Sequence, residues 1–213
     1  MNHRPTLLGH YKLWVLGFEH RDPSLYNLMI NRANQNKGML NNWDLSCVRP
    51  TACQGGASGM WTGTIPFIAL DLLRRTDWEG KIEHLYRHDL EGLIWVLPWV
   101  FEQFVDGRLT DPKLGTWCTS DYIICSEKKG GLLHRLEPGD NPATESWKME
   151  WGFAYELLCW VDEEDIKRAL MRRGSVPPYE PSPQEVYDAF CAILDKAKKA
   201  YEPLNGLFHQ LHM

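Results

Sequence analysis

The sequence predicts a mainly α-helical protein with one small β-hairpin, and three observations predict it. Ser182-Pro183-Gln184-Glu185 supplies an N-cap, a first-turn proline and a capping-box glutamate, and Val186, Ala189, Phe190, Ile193, Leu194 and Ala197 then repeat on one helical face. That spacing predicts a C-terminal helix over about 183–201. The apolar run Leu93 to Phe101 follows Asp89 at a cap position and contains Pro98, which predicts a buried and kinked core helix over about 89–104. Leu28-Met29-Ile30 and Met39-Leu40 flank a polar stretch with Gly38, the pattern of two short strands and a hairpin loop.

The other elements are read in chain order. Leu7, Leu8, Tyr11, Trp14 and Val15 have helical spacing and stop at Gly17, a helix C-cap residue. Residues 46–63 hold four glycines and no period, which reads as a loop, and Thr64 to Leu73 reads as a turn into a short helix. Residues 106–146 give only weak signals. Ser146 to Val161 and Asp162 to Arg173 read as two successive helices, the second starting on the acidic run 162–165 and ending at Gly174.

With 213 residues the chain has room for one domain, 1–213, and the spread of ten tryptophans excludes global disorder. A net charge of −5 offers no field to attract a phosphate backbone or an anionic membrane, so no nucleic acid or membrane partner is expected. No apolar run approaches the ~20 residues of a bilayer helix, and no signal core or Asn-X-Ser/Thr acceptor occurs, so a cytoplasmic or nuclear location is expected. The six cysteines (47, 53, 118, 125, 159, 191) form no C-x-x-C pair and are expected as reduced thiols. His84 and His88 stand four apart, but no glutamate follows His84 and no third ligand is evident, so they read as structural.

Chemistry concentrates in His20-Arg21-Asp22-Pro23-Ser24-Leu25-Tyr26-Asn27, which fits the pattern H-R-D-x-x-x-x-N. In that pattern the aspartate accepts a hydroxyl proton and the asparagine coordinates magnesium. A hairpin sets the residue before its first strand beside the residue after its second, so Asn27 is expected to face Asn42. Asn41-Asn42-Trp43-Asp44-Leu45-Ser46 then occupies the place of a D-F-G stretch, with Asn42 in the aspartate position. In an extended stretch Asp44 lies on the same face as Asn42, roughly 7 Å further along.

These two stretches, with Thr62-Gly63-Thr64-Ile65-Pro66-Phe67-Ile68-Ala69-Leu70-Asp71 and His88-Asp89-Leu90-Glu91, resemble the fungal-type protein kinase domain family. The resemblance implies a protein-kinase-like C-lobe with catalytic loop 20–27, a degenerate D-F-G at 42–44 and an activation segment over 45–71. It implies Asp22 as catalytic base, Asn27 as metal ligand, and Asn42, with Asp44 as a substitute carboxylate, on the nucleotide and metal side. It makes Arg21 the partner of a phosphate or acid on the activation segment, where Ser46, Thr51, Ser58, Thr62 and Thr64 carry hydroxyls. His20 and Asp89 become structural anchors of the loop, and Asp71 seeks an arginine among Arg168, Arg172 and Arg173.

The family transfers the ATP γ-phosphoryl group to Ser/Thr hydroxyls of proteins with magnesium. Three departures qualify that expectation here: Asn42 is a neutral amide, Ser24 stands where most Ser/Thr kinases carry lysine, and no Gly-rich loop or V-A-I-K stretch occurs. With that N-lobe absent, the chain is expected to be inactive alone and to bind ATP and magnesium weakly. The alternatives are a pseudokinase-type scaffold for a protein partner and an aminoglycoside-phosphotransferase-like small-molecule kinase. The uncovered lobe interface, with Leu28–Ile30, Met39-Leu40 and part of the first helix, is expected to make the chain self-associate, bind a separate partner or stay only weakly soluble.

Overall fold

The structure is a computed structural model that describes residues 4–31, 37–48, 63–74, 83–110 and 112–200. Most of the expected loop at 46–63, with Thr51, Cys53, Ser58 and Thr62, lies outside the described residues, as does the hairpin connection 32–36. Helix α1 spans Arg4–Val15 and ends at Gly17, whose φ of 96° is the left-handed turn a glycine accepts without strain. Strand β1 (Phe18–Glu19) follows, then the hairpin of β2 (Leu28–Asn31) and β3 (Lys37–Leu40), and then β4 (Cys47–Val48), which pairs antiparallel with β1. The hairpin is as expected. The β1–β4 pair is not, because two-residue strands carry no period.

Helix α2 (Leu70–Leu73) leads to the long α3 (Tyr86–Phe101). Asp89 is not its cap: α3 begins three residues earlier, where the Leu85 amide donates to His88 Nδ1 at 3.0 Å. Asp89 therefore sits inside the first turn and is free for longer-range work. Pro98 lies within α3, near its end. Beyond the short β5 (Phe104–Val105) and β6 (Arg108–Leu109) comes α4 (Tyr122–Leu133), a helix the sequence signals did not reveal. The pair Gly130-Gly131 weakens its pattern, yet Asp121 caps it by accepting from the Ile123 and Ile124 amides.

The two helices expected over 146–173 are one, α5 (Trp151–Arg172). The acidic run starts no new helix because no glycine or proline breaks the chain there. Its carboxylates find cations instead: Glu164 pairs with Lys167 at 2.7 Å and Asp165 with Arg74 at 2.7 Å. Helix α6 (Pro183–Ala200) closes the fold with Val186, Phe190, Leu194 and Ala197 buried, as its period requires. Helix α3 lies at the centre, against α5 and α6, and Trp95 packs edge-on against Trp117 at 5.5 Å. Among the described residues no helix is long and apolar enough to cross a membrane.

Cys118, Cys125, Cys159 and Cys191 are free thiols, as expected, but Cys47 is disulfide-bonded, to a partner outside the described residues. The expectation of uniformly reduced cysteines is corrected at that position. Spacing between cysteines carries no information on which of them the fold brings together.

The C-cap of α3 holds an uncompensated acid. Glu102 is buried, and its Oε1 finds no hydrogen-bond partner. Burial pushes its carboxyl up to about 7, against a smaller pull from Lys113 and Arg135. The protonated form is therefore the one the fold favours, so its stability contribution is full below the unfolded value of about 4.5 and is lost as pH rises through about 7. Glu102→Gln is expected to flatten this loss and to stabilise the protein at about pH 8 by about 2–3 kcal/mol. Thermal melts of both forms between about pH 5 and pH 8 check it; parallel melting curves would show that Glu102 does not titrate in this window.

Candidate functional site

The loop 20–27 is a short irregular stretch between β1 and β2, and buried polar contacts hold its shape. His20 accepts the Asp22 amide at Nδ1 (3.2 Å), so its proton sits on Nε2, which donates to the Asn41 carbonyl at 2.7 Å. Burial lowers the His20 pKa, which keeps the ring neutral and suited to both roles. Arg21 has a φ of 67°, a left-handed conformation that costs a non-glycine residue about 1–2 kcal/mol. Its amide is held by Asp89 Oδ1 at 3.2 Å, while Asp89 Oδ2 takes the His20 amide at 3.3 Å.

With the backbone so fixed, Asp22 is presented by two donors. Asn27 Nδ2 donates to Asp22 Oδ2 and to the Asp22 carbonyl, both at 2.8 Å, and the Thr64 amide donates to Asp22 Oδ1 at 2.9 Å. Asn27 thus spends its side-chain nitrogen on Asp22, which leaves its side-chain oxygen Oδ1 outside these bonds. Segment 63–74 is tied down along its length: the Leu70 amide donates to Glu91 Oε1 at 2.7 Å, and Lys129 Nζ to the Ile68 carbonyl at 2.6 Å. Lys129 is fully buried with its ammonium 4.6 Å from the Trp95 ring, and burial pushes its pKa down to about 8.

Asp71 finds more than one arginine. Arg87 donates to Oδ2 at 2.6 Å, Arg172 to Oδ1 at 3.5 Å, and Arg168 Nε lies 2.9 Å from Oδ2 without hydrogen-bond alignment. Two of the three expected arginines are present; Arg173 is not in the cluster, and Arg87, next to His88 in sequence, was not expected. Burial by itself pushes the Asp71 carboxyl up, but His88, Arg168 and Arg87 together hold it well below the usual carboxylate range. His88 is in turn pushed down to about 3 by burial and stays neutral. His84 and His88 serve different partners, since His84 precedes α3 and binds Asp89 at 2.8 Å.

The nucleotide side departs further from expectation. In the β2–β3 register Leu28 faces Leu40, and the Asn41 amide donates to the Asn27 carbonyl at 2.8 Å, so the residue opposite Asn27 is Asn41 and not Asn42. Asn42 follows in a left-handed conformation, φ 67°, and Trp43–Leu45 is a 3₁₀ turn. The stretch is not extended, so Asp44 does not share a face with Asn42 on the two-residue period, and it is exposed. Arg21 pairs with buried Glu19, Nε at 2.9 Å and Nη2 at 2.7 Å, where a phosphate or acid of the activation segment was expected.

Asp89 anchors the loop that carries Asp22 and Asn27, and Asp71 forms a separate arginine cluster on α2. Residues 4–101 match the fungal protein kinase family. The match runs from α1 to the end of α3 and agrees with the family the sequence motifs resemble. No curated protein matches the chain. Within residues 4–101 sequence reasoning missed Glu19, Arg87 and His10, and outside them Lys129. Arg87 borders a motif, but the other three offer no local signal, because their partners lie far away in sequence.

Gly92 joins the loop to segment 63–74. A Cβ there would fall 2.6 Å from Pro23 Cγ and 2.8 Å from the Phe67 carbonyl, so only glycine lets both approach α3. Gly92→Ala is expected to destabilise by about 1–3 kcal/mol and to shift the Asp22 and Thr64 amide resonances. Gly131→Ala, a helical site with open space around its Cβ, is expected to stabilise by up to about 1 kcal/mol. Chemical denaturation of the two variants checks the contrast, and equal effects would refute the close approach.

Proposed function

We propose that this chain carries the acceptor side of a protein-kinase-type phosphoryl-transfer site on a C-lobe-like helical body. The observation that carries the reading is the Asp22 carboxylate, held at one oxygen by Asn27 and at the other by the Thr64 amide, on a loop hung from Asp89. On this reading the hydroxyl of a Ser/Thr-bearing protein substrate would lie against Asp22, which would take its proton as the hydroxyl oxygen bonds to the γ-phosphorus of ATP and the bond from that phosphorus to the β,γ-bridging oxygen breaks, releasing ADP. Segment 63–74 forms the wall for that substrate.

The residues present do not fit a tightly held magnesium ion. Position 42 offers a neutral amide, both Asp22 oxygens already accept hydrogen bonds, and Asp44 lies on an exposed 3₁₀ turn. Among the described residues no group of three His, Cys, Asp or Glu side chains is placed to hold a metal. We therefore read the site as a phosphotransferase of very low or no activity by itself. Purified chain is expected to show no magnesium-dependent phosphate transfer above an Asp22→Ala control, and a reproducible difference in a radiolabelled-phosphate assay would overturn this. Asn42→Asp is expected to raise magnesium or manganese affinity about tenfold in calorimetric titration, since a carboxylate replaces an amide as ligand to a hard dication. Unchanged affinity would remove Asn42 from the metal side.

A scaffold reading has its own support in the hairpin. Leu28, Met29, Ile30 and Met39 are all exposed, so apolar side chains line both faces of a two-stranded ribbon that is marginal without further strands. A second copy of the chain is the occupant proposed, because an apolar ribbon complements itself. Ile30→Glu is expected to lower the sedimentation coefficient to that of a monomer at concentrations where the unmodified chain associates; a unmodified chain that stays monomeric on concentration would refute self-association.

A further inference from the structure

Asp89 has no exposed surface, and its two oxygens accept four hydrogen bonds, filling the lone-pair positions a carboxylate offers. Two come from the loop, the His20 and Arg21 amides at 3.3 and 3.2 Å. The two shorter ones come from imidazoles, His10 Nε2 on Oδ2 at 3.0 Å and His84 Nε2 on Oδ1 at 2.8 Å. Each oxygen therefore carries one imidazole and one loop amide. His10 belongs to α1 and stacks on Tyr86 at 5.3 Å, and His84 precedes α3 and lies against Trp14 at 5.7 Å. Both rings are buried among aromatic neighbours that fix their planes. His10 Nδ1 is buried with no acceptor for a proton, so the ring proton sits on Nε2, where the carboxylate receives it.

Without the imidazoles the carboxylate could turn about its Cβ–Cγ bond and carry its oxygens away from the loop amides. Arg21 would feel this first, because its left-handed backbone is strained and its amide bond to Oδ1 restrains it. We propose that His10 and His84 are positioning residues of the 20–27 loop, acting as hydrogen-bond donors at Nε2 that lock the rotamer of Asp89. This deepens the reading of the loop given above, and its test needs neither ATP nor substrate, so a failure of that reading leaves this inference standing.

The experiment is amide hydrogen exchange by NMR on the unmodified chain, His10→Leu and His10→Gln, with the same pair of changes at His84. Glutamine keeps an N–H donor at about the reach of imidazole Nε2, and leucine keeps only volume. In the leucine variants the His20 and Arg21 amides are expected to exchange about tenfold faster relative to Val96 in the α3 core, and in the glutamine variants to return to within about threefold. Loop amides that accelerate only in step with Val96 would make the histidines ordinary packing residues and overturn the proposal, as would a glutamine variant as fast as the leucine one. Should the leucine variants fail to fold, imidazole nitrogen shifts of the unmodified chain decide: a proton on each Nε2 supports the assignment, and an Nε2 without a proton on either ring overturns it.

Discussion

A carboxylate taken fully out of water loses a hydration energy that only several good donors can replace, and Asp89 is such a carboxylate. Burial alone pushes it toward the neutral form, yet His84 and His10 reverse the balance and keep it ionised well below the usual range. Its position in the first turn of α3 ties three otherwise separate parts together: α1 through His10, the segment before α3 through His84, and the loop through two backbone amides. The placement of Asp22 follows from this anchor, because a loop of eight residues with little regular structure has few other restraints. Asp71 repeats the theme with guanidinium groups, fixing α2 against α3 and α5.

The two sides of the site are built to different standards. On the acceptor side segment 63–74 is held by the buried or half-buried partners Asp22, Glu91, Lys129 and Arg87. On the nucleotide side the corresponding positions carry neutral amides and an exposed acid, with apolar side chains facing water. On the function proposed above, the held segment would be the side that meets a polypeptide and the neutral amides the side that meets a dication, and that asymmetry would favour binding of a protein over transfer of a phosphoryl group.

What could be read from sequence was local. The capping box of α6, the glycine after α1 and the hairpin pattern all act within a few residues, and the structure has each of them. Failures came where the deciding partner lies elsewhere. The acidic run 162–165 looks like a helix start until Arg74, ninety-one positions before Asp165, is seen to neutralise it. Asp89 looks like a cap until its four donors are counted, and Lys129 carries no mark of burial in its own helix. The facing of Asn27 and Asn42 missed by one residue because Asn41 closes the ladder. Asp44 missed its face because a 3₁₀ turn replaces the extended chain.

The convergence at Gly92 has a dynamic consequence. Pro23 and the Phe67 carbonyl both rest on the same bare stretch of α3, and the Asp22 to Thr64 bond links their two segments directly. Neither can lift without breaking the other's seat, so they should open as one cooperative unit with a single opening free energy instead of fraying independently. A ligand that grips segment 63–74 alone would then slow the breathing of the loop around Asp22 to the same degree, transmitting occupancy through steric contact with no hinge and no change in average shape.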